Sequence, residues 1–231
     1  MKRSLIPLLI AVSLCAQNLQ VHYEFLPERQ YVVSTLEQFT GDEAGLTYWF
    51  ISTQYDHSEN DDFRDNSAVG VYGEFYRFFS IDALKGMMPA LQYNDGLGVV
   101  YLDGGLIAGF PYGRTLLAGI AYNIKIFGVD VLSSLWWRKK QGYCHSWQFT
   151  AAWGHSFAKG KLTFNGFFDL WGERPLDVSD HFVVLLTEPQ LYYNLNAHIS
   201  IGTKLQLSRN FEMTQQDKLL AAPTAALRWN F

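Results

Sequence analysis

The chain has 231 residues, a formal net charge of −4 and 16% aromatic residues, among them 7 Trp, 13 Tyr and 17 Phe. That charge, with no basic run, excludes an electrostatic nucleic-acid binder. A mean hydropathy near zero, with no long apolar segment after the first residues, excludes a helical membrane protein.

The opening "MKRSLIPLLIAVSLCAQ" carries Lys2 and Arg3, an apolar run from Leu5 to Leu14, then Cys15 and Ala16. This is the layout of a secretory signal over residues 1–16, with an apolar run too short to span a bilayer. The bulky Leu14 before Cys15 argues against a lipoprotein. Cleavage after Ala16 leaves one expected domain, 17–231, with Cys144 as its single thiol. A lone cysteine of this kind is read as an unpaired loop thiol rather than a nucleophile.

From residue 19 onward apolar and polar residues alternate with a period of two, interrupted by Gly, Asp, Asn and Pro clusters. "LQVHYEF" sets Leu19, Val21, Tyr23 and Phe25 against Gln20, His22 and Glu24. Twelve strands are predicted: 19–26, 31–40, 46–56, 68–79, 90–99, 113–124, 129–139, 145–157, 161–171, 182–194, 198–209 and 219–231. Most have the nine to eleven or so residues that cross a bilayer at a tilt. Pro189 lies inside the tenth and cannot donate to the ladder, which calls for a bulge or a strand boundary there.

Connections alternate in length. "GDEAG", "KIFG" and "AKG" are short, whereas "HSENDDFRDNS", "VYLDGGLIAGFP", "GERPLDVSDH" and "NFEMTQQDK" are long. "SIDALKGMMP" is too long for a simple turn and is read as a short periplasmic helix. In the last stretch, Leu227, Trp229 and Phe231 share one face, opposite Arg228 and Asn230. Two readings compete: a soluble β-domain with one packed face, and a closed antiparallel transmembrane barrel of about twelve strands. The aromatic content, loop alternation and even strand count favour the barrel, multi-pass in the outer membrane. Leu227, Trp229 and Phe231 then face lipid, as a signal for the outer-membrane assembly machinery.

No phosphate loop, HExxH pair, GxSxG elbow or CxxC pair occurs. His155 and Ser156 are strand neighbours, so they point to opposite faces and form no dyad. Neither a catalytic residue, a metal site nor a cofactor is expected. By alternation the ionisable residues His22, Glu24, Glu37, Glu74, Asp130, Arg138, Asp169, Glu188, Lys204 and Arg228 point inward. Phe39, Phe50, Tyr72, Tyr76, Phe167, Trp171 and Tyr192 lie beside them. These charges either pair across the lumen or take the polar edges of a flat solute stacked on the rings. Glu37, Phe39, Glu74 and Tyr76 are expected to line one side of a narrow section, with Lys204 or Arg228 balancing the carboxylates.

"LQVHYEF", followed by "STLEQF", a glycine turn and "LTYWFISTQYD", resembles the start of the nucleoside-specific channel-forming (Tsx-like) porins. It is closer still to their exported relatives of unknown function. The resemblance implies a small twelve-stranded barrel passing nucleosides, with Glu37 and Phe39 of "STLEQF" as lumen wall. The expected function is a passive channel for small polar solutes. The alternative is a non-transporting barrel that partners another outer-membrane protein.

Overall fold

The computed structural model describes residues 17–26, 31–56, 67–102, 106–176, 179–211 and 217–231. The expected leader, 1–16, lies outside the described residues. The first five strands are β1 (Asn18–Glu24), β2 (Tyr31–Asp42), β3 (Gly45–Asp56), β4 (Ala68–Phe79) and β5 (Met87–Leu102). The next five are β6 (Leu106–Pro111), β7 (Thr115–Ile126), β8 (Val129–Lys140), β9 (His145–Phe157) and β10 (Leu162–Glu173). The chain continues through β11 (Phe182–Thr187), β12 (Gln190–Asn194), β13 (Ile199–Arg209) and β14 (Leu219–Asn230).

Each wall strand pairs antiparallel with the next, β14 pairs with β1, and β9 with β10, so the sheet closes on itself. β11 and β12 together make one wall strand. Thr187 faces Phe168 and Gln190 faces Asn165, so the register runs unbroken across Glu188 and Pro189. The interruption at Pro189 is therefore a missing donor and not a bulge. Twelve wall strands result, and closure pairs the backbone without an open edge. Among the described residues no helix is long and apolar enough to cross a membrane.

The turns follow from local chemistry. β7 and β8 meet at Phe127 and Gly128, both with positive φ (50° and 84°), as a two-residue primed hairpin turn requires. Gly45 opens β3 where a Cβ would stand 1.9 Å from the Phe78 carbonyl oxygen. The expected periplasmic helix between β4 and β5 is a single 3-10 turn, Asp82–Leu84. β6 lay within a predicted loop. The apolar runs on either side of "DGG" instead pair as a hairpin, Leu97 facing Pro111, beyond the wall.

The two faces differ as a bilayer demands. Leu91, Leu116, Ile120, Leu135 and Leu227 are exposed on the outside. Tyr23, Tyr93, Trp137 and Trp147 near one end, and Tyr122, Phe157, Tyr193 and Trp229 near the other, are exposed rings in two girdles. The inner face buries Gln20, His22, Gln92, Gln148, Ser200 and Ser208. A soluble β-domain would reverse this arrangement. The molecule is a transmembrane barrel of outer-membrane architecture.

Candidate functional site: the barrel lumen

Short turns and both described chain ends mark the periplasmic mouth, and the long connections mark the outer one. A chain of ring contacts runs down the lumen from the β6 hairpin along the adjacent strands β3 and β4 and across to β8. Phe110 meets Tyr112 at 5.5 Å between centroids, Tyr112 meets Tyr72 at 6.1 Å, and Tyr72 meets Phe50 at 6.1 Å. Phe50 leads to Tyr48 (6.0 Å), Tyr48 to Tyr76 (5.6 Å), and Tyr76 to Trp136 (6.3 Å). The spacing arises because Tyr48 with Phe50, and Tyr72 with Tyr76, recur on the inward phase of adjacent strands. Glycines make room at the outer end. A Cβ at Gly96 would lie 2.5 Å from the Tyr112 ring, and one at Gly98 would lie 2.4 Å from that of Phe110.

Glu74 lies beside this ladder. It accepts hydrogen bonds from the hydroxyls of Tyr72 (2.6 Å) and Tyr76, from Asn94 Nδ2 (3.0 Å) and from Gln92 Nε2 (3.3 Å). Glu37 accepts from Asn18 Nδ2 (2.9 Å) and the Tyr48 hydroxyl (3.1 Å). No ion pair to either carboxylate occurs among the described residues. The cations expected to balance them are engaged elsewhere. Lys204 Nζ is 3.2 Å from Glu188, and the Arg228 guanidinium lies over the Tyr192 ring at 4.0 Å.

The opposite wall is a polar network. His22 is 3.1 Å from both Thr224 Oγ1 and Gln20 Oε1, and the Tyr192 hydroxyl donates to Gln20 Oε1 at 2.9 Å. Asp169 accepts from Thr150, Trp171 Nε1 donates to Glu173 at 3.0 Å, and Lys140 pairs with Glu173 at 2.7 Å. Glu24 is buried on the same face.

Two expected positions shift. Phe39 is on the inward face opposite Tyr48 and half-exposed toward the periplasmic end of β2. The wall ends three residues later, at Asp42. Asp130 is likewise exposed at that rim, 3.7 Å from Lys125 Nζ. Leu227, Trp229 and Phe231 stand exposed on the outside, with Trp229 and Phe231 5.3 Å apart.

Alternation alone did not reveal that part of the lumen is dry. Tyr76, Phe78, Ala90, Leu117, Ala121 and Trp136 form one buried apolar cluster, with Leu46, Tyr48, Met88 and Leu132 against it. These are inward residues of β4, β5, β7 and β8. "TLLAGIAY" and "LSSLWW", which carry Leu117, Ala121 and Trp136, are the signal: apolar residues on both phases of a strand.

Residues 16–231 match the family described as a domain of unknown function, DUF5020. The chain belongs to that family. No curated protein matches it. Among solved structures, the DUF5020 barrel is similar to the NanC porin, at 9% identity and a TM-score of 0.51, covering 93% of this chain and 98% of the porin. It is also similar to an anion-selective porin from Comamonas acidovorans, at 12% identity and a TM-score of 0.36, covering 86% and 59%. At such identities the likeness concerns fold, and the NanC porin supports a porin-like barrel.

Proposed function

We propose that this barrel is a passive outer-membrane channel for small polar solutes that carry a flat ring, with nucleosides the first class to test. The observation that carries the reading is the unbroken run of ring contacts from Phe110 to Trp136, beside Glu74. Stacking on aromatic faces contributes about 1–3 kcal/mol per base and tolerates different bases. Carboxylates and amides along the ladder offer partners for hydroxyls and ring nitrogens. The resemblance of "LQVHYEF" and "STLEQF" to nucleoside channels supports the same choice.

The experiment is single-channel recording in planar bilayers. Discrete openings, blocked by uridine or adenosine, are expected, with Tyr72→Ala weakening the block about tenfold. Openings that nucleosides leave untouched would remove the solute class and keep the channel. A correctly folded barrel that never conducts would end the channel reading. It would favour a second one, a non-transporting barrel that partners another outer-membrane protein. The apolar cluster around Trp136 and the complete burial of Tyr192 inside the lumen speak for that second reading.

A further inference from the structure

At the periplasmic mouth a recess of about 410 Å³ is lined by Lys159, Lys161, Thr163, Asn194, Asn196 and Arg228. No carboxylate lines it. The floor is Arg228, on the inward phase of β14 and 8% exposed, whose Nε has no hydrogen-bond partner. One terminal nitrogen of its guanidinium donates a long bond of 3.4 Å to Asn194 Oδ1. The turn that carries the lysines is pinned from across the rim. Asn194 Nδ2 donates to the Gly160 carbonyl (2.6 Å) and to Thr163 Oγ1 (3.0 Å), and the Asn194 backbone N–H to the Lys161 carbonyl (2.8 Å). Lys159 holds its place with a left-handed backbone, φ 58°. Neither lysine forms an ion pair among the described residues. Asn196 uses its Oδ1 on the backbone N–H groups of His198 and Ile199, which leaves its amide hydrogens as donors.

Donors and positive charge thus converge on one recess whose lining holds no carboxylate to match them. A buried guanidinium with an idle N–H is costly unless a ligand completes it, and its planar fork fits an oxyanion. We propose that this recess binds a soluble oxyanion of the phosphate-monoester class at the periplasmic mouth, Arg228 holding two oxygens and the two lysines supplying charge. The volume exceeds that of phosphate alone, so the phosphate is one end of a small solute. Arg228 points away from Leu227 and Trp229, which face lipid, so a headgroup in the surrounding leaflet does not reach it. The proposal does not depend on whether the barrel conducts.

The test is calorimetric titration of the folded barrel, in non-ionic detergent free of phosphate, with inorganic phosphate and with glucose 6-phosphate. Saturable binding at one site is expected, tighter for the sugar phosphate. The double change Lys159→Asn and Lys161→Gln should weaken it about tenfold or more, asparagine suiting the left-handed backbone. Arg228→Lys, which keeps the charge and loses the fork, should weaken it less than the double change. Heat-modifiable gel migration checks that each variant is folded. Absence of saturable binding in the parent, or equal binding by parent and double variant, overturns the site. Displacement of phosphate by phosphatidylglycerol at a lower concentration than by phosphate itself would assign the recess to lipid, and also overturns it.

Discussion

At the scale of residues, two lumen carboxylates, Glu74 and Glu37, are held by neutral donors. Glu74 takes four hydrogen bonds, two from phenolic hydroxyls, and no cation among the described residues. Hydrogen bonds to a charged acceptor are roughly twice as strong as neutral ones. Glu74→Gln puts an amide N–H₂ among groups that can only donate or must reorient. It should cost about 1–3 kcal/mol in urea unfolding from lipid vesicles. Glu37→Gln, with two donors to lose, should cost less. Both changes should lower cation preference in bilayer reversal potentials. If selectivity and nucleoside block are the same in both variants as in the parent, the permeation path avoids these carboxylates. The faces of these residues were legible in the sequence, because alternation assigns every inward side chain to the lumen. Their partners were not. Which inward residues stand at the same height depends on strand tilt and stagger around the barrel. That stagger sets Lys204 against Glu188 and stacks Arg228 on Tyr192, so neither forms an ion pair with Glu74 or Glu37.

At the scale of elements, the wall is governed by period-two patterning, and for that reason its strands could be read. The predicted 68–79, 145–157 and 198–209 differ from β4, β9 and β13 by at most a residue at either end. Glycine hid more. The fifth strand runs from Met87 to Leu102, through Gly96 and Gly98, because aromatic rings from beyond the wall cover the missing side chains. β6 was lost for the same reason. Pro189 interrupts bonding without shifting register, since antiparallel neighbours on both sides keep their pairing. The outward phase has its own consequence. Ile120, halfway along β7 and exposed on the outside, meets the hydrocarbon core, so Ile120→Arg should cost about 2–4 kcal/mol. Phe127, fully exposed at the β7–β8 turn, should tolerate Arg with a change of about 0–1 kcal/mol. Urea titration of barrels folded into vesicles compares the two, and a cost at Ile120 as small as that at Phe127 would mean that Ile120 does not meet the hydrocarbon core.

At the scale of the whole molecule, twelve strands enclose more space than side chains of ordinary size fill, and this chain fills it unevenly. One wall carries a dry cluster around Trp136, the other a hydrogen-bonded network around His22, with acids between. The sequence announces a barrel but not this division, because packing across a lumen joins residues with no common period.

Fixed charge is as uneven along the axis as packing is around it. Glu37, Glu74 and Asp169 put acids on the lumen wall, while Lys159, Lys161 and Arg228 gather around one recess of the periplasmic rim that no carboxylate lines. Such a bipolar arrangement behaves as a diode. Mobile ions accumulate between the two zones at one polarity of applied voltage and are depleted at the other, because each zone focuses ions of opposite sign. Current through a single open barrel in symmetric salt should therefore rectify. The asymmetry should fade as salt rises toward 1 M and the Debye length shrinks to about 3 Å, and Lys159→Asn with Lys161→Gln should flatten it. A straight current–voltage line at low salt would mean that ions never sample both zones. If the current rectifies, the turn between β9 and β10, which looks like mere connection, is what gives this barrel an electrical direction.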